Sequence, residues 1–135
     1  ITAPQLKRVS VHDNAEVSIE SFVLPELSIN GFDNATIFID SQIEALDVYV
    51  IDDSRLNLEN RIKELNILAY KDARIYGYGA IVQAGIINME DDVRVRINVE
   101  KELIVMAQDR SSINYKGNPR IEIRSQSNAA SVSKY

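Results

Sequence analysis

The sequence predicts an all-β, single-domain right-handed parallel β-helix, a solenoid of about six rungs with a 19–20-residue repeat. Two observations carry this reading. The stretch Leu46–Leu58, LDVYVIDDSRLNL, sets two runs of alternating apolar residues around an acidic corner, and close copies begin at Leu27, Leu65, Ala84 and Leu103. The corner carboxylates Asp13, Asp33, Asp53, Asp72, Asp92 and Asp109 recur at intervals of 20, 20, 19, 20 and 17. Self-similarity at such a period marks stacked units. A unit holding two strand-like segments of four or five residues cannot bury its own apolar side, so its neighbours must cover it. Two amphipathic helices need more residues per repeat, the fixed Asn or Cys ladder of leucine-rich repeats is missing, and propeller blades need about 40 residues. The expected hand follows from the crossover rule for parallel strands.

In chain order, the whole of 1–135 reads as one domain: an entering strand over 7–12, rungs over 13–124 and a terminal segment over 125–135. The first alternation is Ala15, Val17, Ile19, followed by a looser connection through Phe22, Val23 and Pro25. The paired segments are then Leu27–Ile29 with Ala35–Ile39, Leu46–Val50 with Leu56–Leu58, and Leu65–Ala69 with Ala73–Ile75. Ala84–Asn88 with Val93–Ile97 and Leu103–Ala107 with Ile113–Tyr115 complete the series. Branched residues bounded by Asp, Asn, Gly or Ser are the strand signature. Glu59–Tyr70 is rich in helix formers, yet Leu65, Ile67 and Ala69 keep a period of two, which reads as strand. The inward ladders are expected to be Leu27, Leu46, Leu65, Leu103, then Ile29, Val48, Ile67, Ile86, Val105, then Ile37, Leu56, Ile75, Val95, Ile113. Gly77, Gly79 and Gly85 mark sharp turning or close backbone approach, and Gly31 and Gly117 read as turns. The tail after Arg124 reads as fraying, with Val132 and Tyr135 able to cap the last coil.

Composition removes several functions. With no Cys, disulfides, thiolate metal sites and cysteine nucleophiles are impossible. Fifteen basic against 20 acidic residues, net −5, argue against general nucleic-acid binding, which needs a concentrated positive face. No apolar run is long enough to span a membrane as a helix. The chain opens at Ile1 without Met or signal peptide, as expected of a trimmed or processed product.

Residues 113–123, INYKGNPRIEI, carry a family resemblance. Ile113, Tyr115, Gly117 and Pro119 match a Val/Ile-x-Tyr-x-Gly-x-Pro stretch followed by a strand, and Lys7–Ile19 is similar to the opening strand of the same family. The chain resembles the bacterial head GIN domain family, a domain of unknown function described as autotransporter-adhesin heads. The resemblance covers most of the chain. It implies a right-handed parallel β-helix and an exported location, in the periplasm, outer membrane or cell surface. It carries no established catalytic residues. Where the family repeats Ser-Gly-Ser-Gly-type corners, these read Asp-Asn-Ala, Asp-Ser-Arg and Asp-Ala-Arg.

Among candidate sites, the carboxylate column has two readings. Asp side chains close turns by accepting backbone N–H groups, or they gather calcium, a hard cation that takes oxygen ligands. No segment matches a Gly-Gly-x-Gly-x-Asp repeat or an EF-hand loop, so turn architecture is expected, with no metal and no cofactor. His12, the single histidine, reads as a surface strand residue. Short connections leave no loops to wall a catalytic groove, so no catalytic residues are assigned and a carbohydrate-active enzyme ranks last. Tyr76 and Tyr78 are candidates for stacking on a ligand. Tyr49, Leu68, Ile87 and Met106, each 19 positions after the last, are expected to form an outward apolar stripe bordered by Ile104, and such a stripe marks a contact surface. The outward residues of the other strand include Asn57, Arg74, Tyr76, Arg94, Arg96 and Asn114. These features suit a non-catalytic, secreted or cell-envelope binding module of adhesion-like type, its ligand a glycan or a protein. The alternative is a structural solenoid that pairs with a second copy as a homodimer.

Overall fold

The computed structural model describes residues 8–127 and 130–135. The strands are β1 (Arg8–Val11), β2 (Glu16–Gly31), β3 (Thr36–Val50), β4 (Arg55–Tyr70), β5 (Arg74–Glu90), β6 (Arg94–Ala107), β7 (Ser112–Lys116), β8 (Arg120–Gln126) and β9 (Ser131–Lys134). Every pairing is parallel, in the order β1-β2-β3-β4-β5-β6-β7-β9, with β8 on β6. The chain is therefore a parallel β-solenoid of about seven turns, one more than the sequence count. The added turn comes from the C-terminal end. There β8 continues over the second half of β6, and β9 lays Val132 on Ile113. Lys7, the first residue of the expected entering strand, lies outside the described residues, as do two residues of the terminal segment.

Each turn begins after a tight corner and sends alternate residues inward. Val17, Ile37, Leu56, Ile75, Val95, Ile113 and Val132 form the post-corner ladder in unbroken register. A second ladder, Leu24, Ile43, Ile62, Val82 and Val99, lies mid-turn and is buried throughout. The sequence reading took its first member's surroundings for a loose connection. Before the next corner, Leu27, Leu46, Leu65 and Leu103 stack as expected, with Gly85 completing the file between the last two. Three buried serines interrupt this apolar interior. Ser41 accepts from Phe22 N–H and donates to the Ile19 carbonyl, Ser54 donates to the Ile51 carbonyl at 2.8 Å, and Ser111 accepts from Val93 N–H. Among the described residues no buried side-chain polar atom lacks a partner.

The fifth turn departs from the expected register. Partners of β4 and β5 lie 19 residues apart at Asn57–Tyr76 but 20 apart from Glu59–Gly79 onward, because Tyr78 is an extra, bulged residue. Everything after it slides by one, which exchanges inside and outside. Ile67 faces Ile87, not Ile86; Ile87 is fully buried, while Ile86 is 39% exposed. The assignment of Ile87 to an outward stripe is thus corrected, and Asn88 stands beside Leu68 instead. Gly31 is also not a turn. It ends β2 facing inward, where a Cβ would press on Ile37 and Val50 at 3.2 and 3.3 Å. Gly117 is one, at φ 91°.

The corrected register separates two adjacent isoleucines. Ile87→Asp buries a carboxylate without a partner and should abolish soluble folding. Ile86→Asp should leave far-ultraviolet circular dichroism unchanged and the melting point nearly so. The opposite pattern would restore the original register. Gly85 offers a second check. A Cβ there would meet Leu103 at 3.6 Å, an ordinary contact. Gly85→Ala should therefore stabilise by about 0.5–1 kcal/mol in chemical denaturation.

Candidate binding faces of the solenoid

The corners set the geometry of both outer faces. Among the described residues six pairs of consecutive residues take positive φ: Asp13 and Asn14, Asp33 and Asn34, Asp52 and Asp53, Lys71 and Asp72, Asp91 and Asp92, Asp109 and Arg110. Ten of these twelve residues are Asp or Asn, the L-residues that enter the left-handed region at least cost. At these pairs backbone hydrogen bonds run from turn to turn: Asn14 N–H to Asp33 O at 3.0 Å, Asn34 to Asp52 at 2.9 Å and Asp72 to Asp91 at 2.9 Å. Asp53 N–H reaches Lys71 O at 3.1 Å, and Asp92 N–H reaches Asp109 O at 3.0 Å. The aspartates thus act through backbone conformation, where the sequence reading expected their side chains to accept N–H groups. The expected single column is in fact two. Lys71 interrupts the first, and Arg110 ends the second, donating to Asp92 at 2.8 Å.

The nearest approach to a metal cluster is Glu90, Asp91 and Asp109, whose carboxylate oxygens come within 4.8 Å of one another. Carboxylates alone, at the edge of a solvated corner, do not define an ion site.

The pre-corner face carries the expected stripe in altered form. Tyr49, Leu68, Asn88 and Met106 are in register, and Asp47, Asn66, Ile86 and Ile104 form the neighbouring column. Leu68 and Ile86 are each 39% exposed, whereas Ile104 is nearly covered at 8%. Small residues hollow this face. A recess of about 340 Å³ is lined by Ala45, Ala84, Gly85 and Ile86 together with Asp47, Glu64 and Glu102, Glu64 standing between Ala45 and Ala84 in the same column. A second recess of about 280 Å³ adjoins it across Asp47 and Asn66, with Tyr49 and Leu68 in its wall.

Beside the corners runs a file of aromatic rings that sequence reasoning missed. His12 stacks on Phe32 at 4.8 Å between centroids, Phe32 meets Tyr49 at 5.6 Å, and Tyr49 meets Tyr70 at 6.0 Å. The signal was a ring one to four residues before each of the first four corners. Tyr49 therefore belongs both to the stripe and to this file.

Tyr76 and Tyr78 do not share a surface in the way their spacing suggests. Tyr76 lies in the post-corner face with the Arg96 guanidinium 5.8 Å from its ring. Tyr78, on the bulge, shares Lys116 with Tyr135: the ammonium is 4.5 Å from one ring and 4.6 Å from the other. Such contacts contribute about 0.5–1 kcal/mol at exposed sites, and they tie the last described residue to the fifth turn.

A solenoid whose connections are short and whose outer columns differ in chemistry belongs to the class of repeat proteins that present extended side faces. The profile of the family described as "Putative auto-transporter adhesin, head GIN domain" matches residues 1–119, and the chain belongs to that family. That description is of an adhesin head and implies surface or exported placement. No curated protein and no solved structure matches the chain.

Asp53→Val forces a β-branched residue into the left-handed region and should cost about 1–3 kcal/mol, whereas Asp53→Gly should be close to neutral. Melting in calcium and in chelator should give the same midpoint. A large loss in chelator would make the corners an ion site.

Proposed function

We propose that this chain is a non-catalytic binding module, displayed in the cell envelope or secreted, that recognises a protein partner through its pre-corner face. The observation that carries the reading is the recess of about 340 Å³, whose lining combines apolar Ala45, Ala84 and Ile86 with the carboxylates of Asp47, Glu64 and Glu102. That arrangement fits a partner segment with apolar residues flanked by Lys or Arg, since charges complementary across an interface set specificity. The family's adhesin description supports a binding role. A second copy related by a two-fold axis meets this face less well, because an isologous contact sets the same patches against each other and brings carboxylates towards carboxylates.

Leu68→Lys with Ile86→Lys places two charges on the face and touches no buried ladder. A displayed random-peptide library selected on the wild-type protein, with counter-selection on this double variant, should enrich sequences with basic residues around apolar ones. No enrichment, or enrichment that the variant retains equally, removes the proposed face. A wild-type dimer in light scattering that the variant converts to monomer would assign the face to a second copy.

A further inference from the structure

We infer that the post-corner face binds an acidic linear polysaccharide, one carboxylate per sugar, along a column of three arginines. This rests on the reading of the chain as a binding module but uses a different face. Arg55 stands opposite Arg74 on the next turn, and Arg74 opposite Arg94 on the turn after. Parallel strands lie about 4.8 Å apart, so the three side chains leave the sheet at that spacing.

Like charges directly opposite one another are unfavourable, and this column is not neutralised within the chain. Among the described residues the ion pairs are Arg110–Asp92 and Arg124–Glu122, which include none of the three. Corner carboxylates stand two residues before each arginine and soften the repulsion without pairing. Asp92, the one beside Arg94, is already held by Arg110 at 2.8 Å.

The neighbouring outward column supplies an independent observation. It runs Phe38, Asn57, Tyr76, Arg96 and Asn114 in register, which is the mixture a sugar requires. Rings stack against the C–H face of a pyranose, amides hydrogen-bond its hydroxyls, and guanidinium groups take a carboxylate through two parallel N–H bonds. A recess of about 260 Å³ opens beside the first and second arginine levels of this face, lined by Thr36, Arg55 and Arg74 with Asn34 and Asp53 at the corner.

Three equivalent cations at one spacing select a ligand that repeats, because each further contact is made at high effective concentration. A pyranose unit is close in length to one rung, so successive uronates of a chain can address successive arginines. Nucleic acid fits less well. The strip is bordered by the acidic corners of a chain with net charge −5, and a phosphodiester backbone needs a broader positive surface.

The test uses oligogalacturonate, its methyl-esterified counterpart and monomeric galacturonate in calorimetry with the whole chain. Binding to the free acid is expected, weakening as ionic strength rises towards about 0.15 M, with none to the ester or the monomer. Arg55→Gln, Arg74→Gln and Arg94→Gln together should weaken it at least about tenfold at an unchanged melting midpoint, and Arg74→Gln alone should weaken it measurably should the triple variant not fold. Leu68→Lys with Ile86→Lys should bind the oligosaccharide as the wild type does, so that loss of the peptide-binding face and loss of this one are read separately. No binding to the free acid, equal binding to the ester, or full binding by the arginine variants would overturn the proposal. Heparin or duplex DNA binding as tightly through the same arginines would replace the polysaccharide by any polyanion.

Discussion

One constraint organises the molecule: the backbone ladder between turns must pass around each tight corner without a gap. An unpaired backbone group inside a stack of seven turns would be costly. The chain meets the constraint by placing two consecutive residues in the left-handed region at every described corner, which lets one N–H of each of the first five pairs reach the corner carbonyl of the following turn at 2.9–3.1 Å, while Asp109 N–H of the sixth donates to the Ser127 hydroxyl at 3.0 Å. Left-handed conformation is unfavourable for L-residues, least so for Asn and Asp. The acidic character of the corners is a consequence of that conformational choice. So is the residue that follows, which returns to the interior in cramped space: Ala35, Ser54, Ala73, Val93 and Ser111 are all fully buried.

The same constraint explains what could be read from the sequence. Asp and Asn at a fixed period gave the stacking, the post-corner ladder from Ile37 to Ile113 and most of the pre-corner ladder, because an exact repeat forces an exact register. It failed where a bulge breaks the repeat. The run Ala84-Gly85-Ile86-Ile87-Asn88-Met89 is apolar at both parities over its middle, so alternation cannot choose between Ile86 and Ile87. The bulge at Tyr78 decides it, and only the uneven last corner intervals, 20 and then 17, hinted that the fifth turn is longer than the sixth. β5 has 17 residues and β6 has 14. The mid-turn ladder from Leu24 to Val99 was missed for a related reason. Ile43 between Gln42 and Glu44, and Ile62 between Arg61 and Lys63, resemble loop residues until stacking shows that each one covers the next.

Site residues were less legible than ladders because a side face is a two-dimensional object. Leu68 and Met106 kept their outward places, Ile87 lost its place to Asn88, and Ile86 entered from the expected core. Tyr76 and Tyr78 are two apart, which places them side by side on a regular strand, but the bulge sends Tyr78 to a pairing with Tyr135 and Lys116. The arginines of the post-corner strand were visible as outward residues. Their alignment as a column depended on the register between turns.

Stacking multiplies the effect of each outward choice. In a helix or a loop a single arginine is one charge; here Arg55, Arg74 and Arg94 become a row because the backbone fixes their spacing before any side chain contributes. The same holds for Asp47, Asn66, Ile86 and Ile104 on the other face, where hydrophobicity rises along the column from turn to turn. A chain built this way can change what a face recognises by substituting one column while every inward ladder stays intact. The two faces are separated by the corners, whose carboxylates face solvent between them. A ligand attracted to the arginine column and a ligand attracted to the acidic recess carry opposite charges. The corner aspartates, present for conformational reasons, therefore extend the acidic surface of the second face and set a boundary on the first.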